Sequence, residues 1–412
     1  MPTHDFDVLI LGAGPAGASA ALSLSKYSTL RVGILDKAKF PRDKICGDAL
    51  SGNVISTLKS LSPSLYARFQ AFPDKIGSFG IRFIAPSGNY LDVPFKSPKV
   101  QVSEPPGFIS KRIDFDNFLV SEVKSLPNVT LHEETAAHSV ELHRDGVVVK
   151  TNRTTFSASL LIGADGANGV TTKTLATFKP EEAHFCAGLR AYYKHVSGLH
   201  AQNFIELHFL PELLPGYFWI FPLPNGYANV GLGVLSQVVK KKRLDLKKLL
   251  LQVIETHPAI APRFKHAERV DEIRGYGLPL GSKRRPLSGE RFMLTGDAAS
   301  LIDPFSGEGI GNAMKSGKLA AEVAYESLLQ QDFSPAFLKR YDERVYQKLG
   351  SELWLSHTLQ RLANFPALFN FVVNRARQSP TLSETISCMF DDLELRKELS
   401  KPSFYAKLLL GR

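Results

Sequence analysis

Short apolar runs separated by glycine-rich turns and helical segments dominate the N-terminal part of the chain. Residues 8–11 (VLIL) contain no polar position, which is typical of a strand buried on both faces. The turn 12–17, an Ala-rich segment with high helix propensity and a second apolar run ending at Asp36 follow directly. This order predicts a strand, a glycine turn, a helix, a second strand and an acidic residue. Two more buried strands are predicted at 159–162 and 291–295.

The pattern changes over residues 183–235, where apolar and polar positions alternate and aromatic residues are frequent. A period of two predicts an antiparallel sheet, which we assign to a second domain. Downstream, the pattern predicts a basic amphipathic helix at 237–256, a helix at 311–329 and a run of helices from residue 335 onward. We therefore predict an α/β dinucleotide-binding domain, an antiparallel β substrate domain and a helical C-terminal segment. Their predicted boundaries are 1–75 with 100–178 and 275–335, 76–99 with 179–274, and 336–412, respectively.

Composition narrows the class of protein. Of the 412 residues, 44% are hydrophobic and 22% charged, as in a globular protein, and the net charge is +10. The basic residues are mostly dispersed, so we expect no nucleic-acid partner. The three cysteines lack metal-ligand spacing, and no apolar run is long enough to cross a membrane. Because the first strand starts close to Met1, we expect no signal peptide, and we expect a cytoplasmic monomer without a metal.

The first glycine turn has the spacing of a dinucleotide site, Gly12-x-Gly14-x-x-Gly17. Gly12 permits a tight turn, Gly14 lets the backbone approach a pyrophosphate, and Gly17 lets the helix pack closely on the sheet. Phosphates are stabilised at the helix N-terminus, and Asp36 is placed to accept hydrogen bonds from ribose hydroxyls. The alternative is an ordinary strand-to-helix turn, which would lack this combination of helix and acid.

A second glycine-rich signal lies almost three hundred residues downstream. Gly296 and Asp297 follow a predicted buried strand, and the segment 307–311 (GEGIG) opens a predicted helix. An aspartate after such a strand can hold a polyol hydroxyl, and helix N–H groups point at an electron-rich ligand. With the dinucleotide already placed, we predict FAD, with its ribityl chain on Asp297 and the pyrimidine edge of its ring near Gly309.

Three motifs together resemble the FAD-dependent fold of the p-hydroxybenzoate hydroxylase type, with its Rossmann-type FAD-binding domain. They are the Gly12 turn, the segment 163–166 (GADG) and the Gly296-Asp297 pair. Within that fold, the stretches 41–47, 217–231 and 307–317 resemble the geranylgeranyl reductase family. The resemblance implies an FAD-dependent oxidoreductase that reduces carbon–carbon double bonds of prenyl chains by hydride transfer from reduced flavin. It also implies a small-molecule or lipid substrate and, as electron donor, NAD(P)H or a ferredoxin acting as redox partner protein.

The resemblance further implies which residues hold the cofactor. Arg112 is expected near the adenosine and pyrophosphate, the loop around Cys46 along the isoalloxazine, and Ala137 beside the adenine. Asn168 and Lys173 depart from the hydroxylase pattern, so no nicotinamide role is carried over for that stretch. The full set expected to bind FAD is Gly12, Gly14, Ala16, Gly17, Asp36, Lys37, Lys44, Cys46, Gly47, Ala49, Arg112, Ala137, Asp165, Gly296, Asp297, Gly309, Ile310 and Gly311.

Tyr217, Trp219 and Phe221 occupy alternate positions of a predicted strand and therefore share one sheet face. They form either a packed core or, as the resemblance favours, an apolar substrate pocket facing the flavin. Cys46 and Tyr217 are the candidate catalytic groups, and the proton donor is one of these two or a water molecule.

Two other functions are kept as alternatives. One is a flavin-dependent monooxygenase or halogenase acting on an aromatic or polyketide-like substrate, which the sequences Cys46-Gly47-Asp48 and Ala299-Ser300 disfavour. The other is a non-catalytic flavin- or lipid-binding protein. A prenyl-lipid substrate would also imply peripheral contact with a membrane, for which the predicted helix 238–254 and the tail 404–410 are candidates if they are not simply packed helices.

Overall fold

The computed structural model describes residues 4–95, 104–179 and 181–379. The strands are β1 (Phe6–Leu11), β2 (Val32–Leu35), β3 (Ala49–Leu50), β4 (Ile76–Ser78), β5 (Gly80–Ile84), β6 (Tyr90–Pro94), β7 (Gly107–Ile109), β8 (Val129–His132), β9 (Ala137–Leu142), β10 (Val147–Thr151), β11 (Thr155–Gly163), β12 (Phe185–Lys194), β13 (Ile205–His208), β14 (Tyr217–Pro222), β15 (Tyr227–Leu235), β16 (Glu268–Arg269), β17 (Arg274–Pro279), β18 (Ser288–Gly289) and β19 (Phe292–Leu294). The helices are α1 (Pro15–Leu24), α2 (Gly52–Leu61), α3 (Pro63–Ala71), α4 (Arg112–Lys124), α5 (Val170–Thr174), α6 (Ser236–Lys242), α7 (Leu246–Thr256), α8 (Ile310–Gln330), α9 (Pro335–Leu362) and α10 (Pro366–Gln378).

The first sheet has a parallel centre in the order β19-β11-β1-β2-β8. Its central strand is buried on both faces, as the apolar run predicts, and Leu9 and Ile10 have no exposed surface. Helix α1 packs against α8, so the helices that follow the two glycine turns lie side by side. Strands β10 and β9 extend β11 in antiparallel order. This confirms the predicted α/β, Rossmann-type architecture.

The second sheet is largely antiparallel and confirms the period-two prediction. Its main order is β16-β12-β15-β14-β13-β5-β6, and β17 pairs with β12. Trp219 and Phe221 on β14 pack on one face, whereas Phe218 and Ile220 pack on the other, under α7. Opposite Trp219, a Cβ at Gly231 would overlap the indole ring, so this glycine makes room for the tryptophan.

A small three-stranded sheet, in the order β3-β7-β4, contains the strand that leads out of the Cys46 loop. Strand β17 belongs to the second sheet, although the prediction divides the chain near residue 275. The exact domain boundaries stay a prediction.

The single helix predicted at 237–256 is wrong, because the chain forms α6 and α7 there. Arg243 adopts a left-handed conformation with φ of 51° and ends α6. Asp245 then accepts a hydrogen bond from the backbone N–H of Lys248 and caps α7. The apolar face of α7 is buried against the sheet through Leu250 and Val253. That face is therefore not available to a membrane.

The part of the C-terminal segment that the structure describes is helical, as predicted, and consists of α9 and α10. The tail 404–410, predicted to contact a membrane, lies outside the described residues. Among the described helices, none combines the length and apolarity needed to cross a bilayer.

Candidate functional site

The first glycine turn has the predicted local geometry. Gly12 has φ of 98°, and a Cβ there would overlap the carbonyl oxygen of Ala164. A Cβ at Gly17 would overlap the carbonyl oxygen of Gly12, so this glycine lets α1 start directly against the turn. Gly14 is the N-cap residue of α1 and lines the adjoining groove. Because it has no side chain, the helix N-terminus is open to this groove.

Asp36 stands at the end of β2, beside this turn. It is 8% exposed, and its Oδ2 accepts a hydrogen bond of 2.8 Å from the backbone N–H of Ala13. Its Oδ1 accepts a second one, of 2.9 Å, from the N–H of Ala38. Each carboxylate oxygen keeps a further lone pair, so Asp36 can still accept hydrogen bonds from ribose hydroxyls.

A groove of about 540 Å³ connects the two glycine turns. Its shape and chemistry fit FAD: an acid stands at one end, an open helix N-terminus in the middle, and a positive-φ glycine, Gly296, beside Asp297 at the other end. Of the predicted cofactor residues, those that line this groove are Gly12, Gly14, Ala16, Asp36, Lys37, Lys44, Arg112, Ala137, Asp165, Gly296 and Asp297.

Lys44 and Asp297 form an ion pair inside the groove, with 2.7 Å between Nζ and Oδ2. Tyr276 adds its hydroxyl at 3.4 Å from the same carboxylate oxygen, and its ring lies 4.9 Å from the ammonium. Burial lowers the pKa of Lys44, but the Asp297 carboxylate outweighs this effect and the pKa is raised overall. Lys44 is therefore held as a cation next to the cofactor groove.

Arg112 is a buried cation at the wall of the groove. Its Nε and Nη2 donate to the Asp116 carboxylate, both at 2.7 Å, and Arg42 Nη1 donates to the same group at 2.6 Å. Two guanidinium groups around one carboxylate leave a net positive charge, which suits a pyrophosphate. Burial raises the pKa of Asp116, but Arg112 outweighs it and the carboxyl pKa is lowered.

A second, largely apolar cavity of about 220 Å³ adjoins the groove. The residues that line both spaces are Pro15, Lys44, Ile45, Arg112, Tyr276, Asp297 and Ala313. We call it the apolar cavity. The predicted residues that line it are Cys46, Gly47, Ala49, Tyr217, Trp219, Phe221, Gly309 and Ile310. Gly17 and Gly311 line neither space: Gly17 packs on Gly12, and Gly311 lies against Asn53 and Glu308.

The predicted catalytic groups both border the apolar cavity. The Tyr217 hydroxyl donates a hydrogen bond of 2.6 Å to the carbonyl oxygen of Ser306, and burial raises the pKa of this tyrosine strongly. Cys46 lies beside the Arg112 guanidinium.

Sequence reasoning missed a hydrogen-bond network behind the Cys46 loop. Asp48 is fully buried with φ of 69°, and its carboxylate accepts hydrogen bonds from Tyr192, Asn229 and the N–H of Arg112. Burial raises its pKa to about 6. The only sequence signal was the position of Asp48 directly after Cys46-Gly47, because its partners lie on distant strands.

Two family models match this chain. An FAD binding domain matches residues 5–207, and a geranylgeranyl reductase catalytic domain matches residues 189–275. The chain is a geranylgeranyl reductase-like, FAD-dependent oxidoreductase. Residues of both matched regions line the apolar cavity.

Relatives and solved structures resemble this oxidoreductase along most of its length. It is 29% identical to digeranylgeranylglycerophospholipid reductase 2 of Methanopyrus kandleri, covering 84% of this chain and 83% of the relative. It is 28% identical to the menaquinone reductase of Mycolicibacterium smegmatis, covering 80% and 82%. A geranylgeranyl bacteriochlorophyll reductase-like protein from Thermoplasma acidophilum has the same fold, with a TM-score of 0.78, 23% identity and coverage of 96% and 98%.

Proposed function

We propose that this flavoprotein reduces carbon–carbon double bonds in the polyprenyl chain of a lipid. The observation that carries the proposal is the apolar cavity against the cofactor groove, with seven residues common to both walls. An unactivated alkene offers no polar group for recognition, so its binding site must be apolar and must hold the double bond by shape. Trp219 and Phe221 supply such a wall.

The names of the relatives support the same class of substrate. Digeranylgeranylglycerophospholipid and menaquinone are both lipids that carry polyprenyl chains. Their head groups differ, so the shared element is the prenyl chain. We therefore propose recognition of the chain rather than of one head group.

The chain's own residues orient the reactants and exclude water. When bound, FAD supplies the hydride for the reduction. Asp36 would hold the ribose, Arg112 with Arg42 the pyrophosphate, and Lys44 with Asp297 the ribityl end. The apolar cavity keeps water away from the alkene. Cys46 and Tyr217 remain predicted participants in catalysis.

A single-turnover experiment tests this function. The FAD-loaded protein is reduced without oxygen and mixed with a geranylgeranyl lipid. We expect the flavin absorbance of the oxidised form to return and the lipid to gain two hydrogens per reoxidised flavin. Flavin that stays reduced in the presence of the lipid, but reoxidises with air, would refute the proposal in favour of an oxygen-using enzyme.

The proposed electron donor is NAD(P)H or a ferredoxin. The sequence contains no second G-x-G-x-x-G turn, which suits a donor that docks transiently. Anaerobic bleaching of the flavin by NADH, NADPH or reduced ferredoxin, each added alone, distinguishes the donors. Failure of all three to bleach the flavin faster than buffer would exclude them.

We also propose peripheral contact with an anionic membrane through α9 and α10. Trp354 on α9, Phe365 at the N-cap of α10 and Phe371 on α10 are 57%, 62% and 41% exposed, and Arg361 and Arg377 are exposed on the same helices. Aromatic and basic side chains together suit the interface of an anionic bilayer. We expect the protein to sediment with phosphatidylglycerol vesicles and much less with phosphatidylcholine vesicles. Replacing Phe365 and Trp354 with Ser should reduce this binding at least fivefold. Equal binding by the variant would contradict membrane contact through these residues.

A further inference from the structure

Glu308 lies in the wall between two cavities. It lines the apolar cavity and also a neighbouring space of about 160 Å³ next to α9 and α10. Its backbone belongs to the Gly307–Gly309 segment that leads into α8, at the predicted flavin end of the site.

The structure builds a specific position for the Glu308 carboxyl. The Ser51 hydroxyl donates a hydrogen bond to Oε1, and the Asn53 amide lies 3.5 Å from Oε2. A Cβ at Gly311 would overlap Oε1, so the absence of a side chain there makes room for the carboxyl. The position of the Glu308 carboxyl therefore requires a glycine at residue 311.

The other carboxyls that line the apolar cavity are engaged more fully. Asp297 pairs with Lys44, Asp48 accepts three hydrogen bonds, and Asp303 Oδ1 accepts three from Phe305 and Ser306. Within the described part of the chain, the Glu308 carboxyl accepts hydrogen bonds from two neutral side chains, Ser51 and Asn53.

The charges around Glu308 do not hold it ionised. Lys315 on α8 is the nearby cation, but its Nζ donates to the Asn53 Oδ1 at 2.5 Å. Glu352 on α9 and Asp303 in the adjoining loop are negative. Burial raises the pKa of Glu308, assisted by these two carboxylates and opposed by Ser51 and Lys315. The site therefore stabilises a protonated carboxyl beside an apolar space.

We propose that Glu308 is the acid that protonates the prenyl double bond. This inference rests on the proposed function. In the balanced reaction, one alkene carbon forms a C–H bond with the Glu308 proton, using the π electron pair. The other carbon accepts the hydride, whose two electrons come from the reduced cofactor. Glu308 is left as a carboxylate and regains a proton from solvent before the next turnover.

The test compares the wild type with Glu308→Gln and with Glu326→Gln, the same exchange at a surface site paired with Arg344. Each protein is loaded with FAD, reduced anaerobically and mixed with a geranylgeranyl lipid at several pH values. For the wild type, we expect flavin reoxidation to slow as pH rises and Glu308 ionises. Glu308→Gln should lower the rate at least 100-fold and abolish this pH dependence, whereas Glu326→Gln should behave as the wild type.

Two measurements separate proton transfer from a structural role. FAD affinity, by fluorescence titration, and the flavin midpoint potential should be unchanged in Glu308→Gln. In Ser51→Ala, the carboxylate loses its hydrogen bond, so the pH dependence should move to higher pH, and Ser51→Thr should restore it. A wild-type pH profile in Glu308→Gln, or loss of FAD binding that accounts for the rate loss, would overturn the proposal. If the wild type itself reduces no prenyl lipid, the proposed function fails instead.

Discussion

The indole Nε1 of Trp219 donates a hydrogen bond of 2.8 Å to Asn229 Oδ1, on the neighbouring strand. The Asn229 amide nitrogen in turn donates to the carbonyl oxygen of Cys46 and to Asp48 Oδ2, each at 2.7 Å. One buried side chain thus joins the wall of the apolar cavity to the loop expected along the isoalloxazine. The orientation of Trp219 and the position of Cys46 depend on the same amide.

Replacing Asn229 with Asp should break this connection. The new carboxylate can still accept from Trp219, but it cannot donate to Cys46 and it faces Asp48. Leaving buried groups unsatisfied and adding a like charge should lower the free energy of unfolding by about 3 kcal/mol at pH 7. Urea unfolding measures this loss. Asn225→Asp, on an exposed turn, is the matched control and should cost less than about 0.5 kcal/mol.

Asp48 should give stability a distinctive pH dependence. Its pKa is about 6 in the folded chain and 3.8 ordinarily, so between these values the folded state binds more protons than the unfolded state. Its contribution therefore favours folding at pH 4 and is lost as pH rises through 6, by about 3 kcal/mol in all. Asp48→Asn lacks this titration. The stability of the wild type relative to the variant should fall between pH 4 and pH 7, and a constant difference would contradict the assignment.

Lys44→Gln should weaken cofactor binding. The substitution removes the cation paired with Asp297 and leaves a carboxylate that is 8% exposed without its charge partner. We expect FAD affinity to fall roughly tenfold, or about 1.4 kcal/mol, in a fluorescence titration. Lys59→Gln, at a lysine whose side chain is 53% exposed, should leave FAD affinity unchanged. If both variants bind FAD with the same affinity, Lys44 does not contribute to cofactor binding.

Gly231→Ala tests whether Trp219 shapes the apolar cavity. The added methyl group would overlap the indole ring and the carbonyl oxygen of Leu189, so the tryptophan must move. We expect a loss of about 2 kcal/mol in unfolding free energy and weaker binding of a prenyl lipid, with FAD affinity retained. Gly52→Ala, where the nearest atom would be 3.7 Å away, is the control for adding a methyl group. Unchanged lipid binding in Gly231→Ala would argue against the pocket.

The sequence by itself determined the features that depend on neighbouring residues. Local sterics and hydrophobic periodicity predict four of these features. They are the Gly12 turn, Asp36 at the end of β2, the buried strand β1 and the alternating faces of β14. These act over a few residues, so a single sequence displays them directly. The end of α6 at Arg243 also has a local signal, because Asp245 is a good N-cap residue for α7. The continuous basic amphipathic pattern nevertheless predicted one helix.

Only the tertiary structure decided which polar groups meet. Asn229 lies 183 residues from Cys46, and Glu308 lies 257 residues from Ser51. Such contacts depend on strand register and on how the two sheets pack, and no local pattern encodes them. Burial then sets the chemistry: the desolvation that raises the pKa of Asp48 and of Glu308 exists only once these partners have come together.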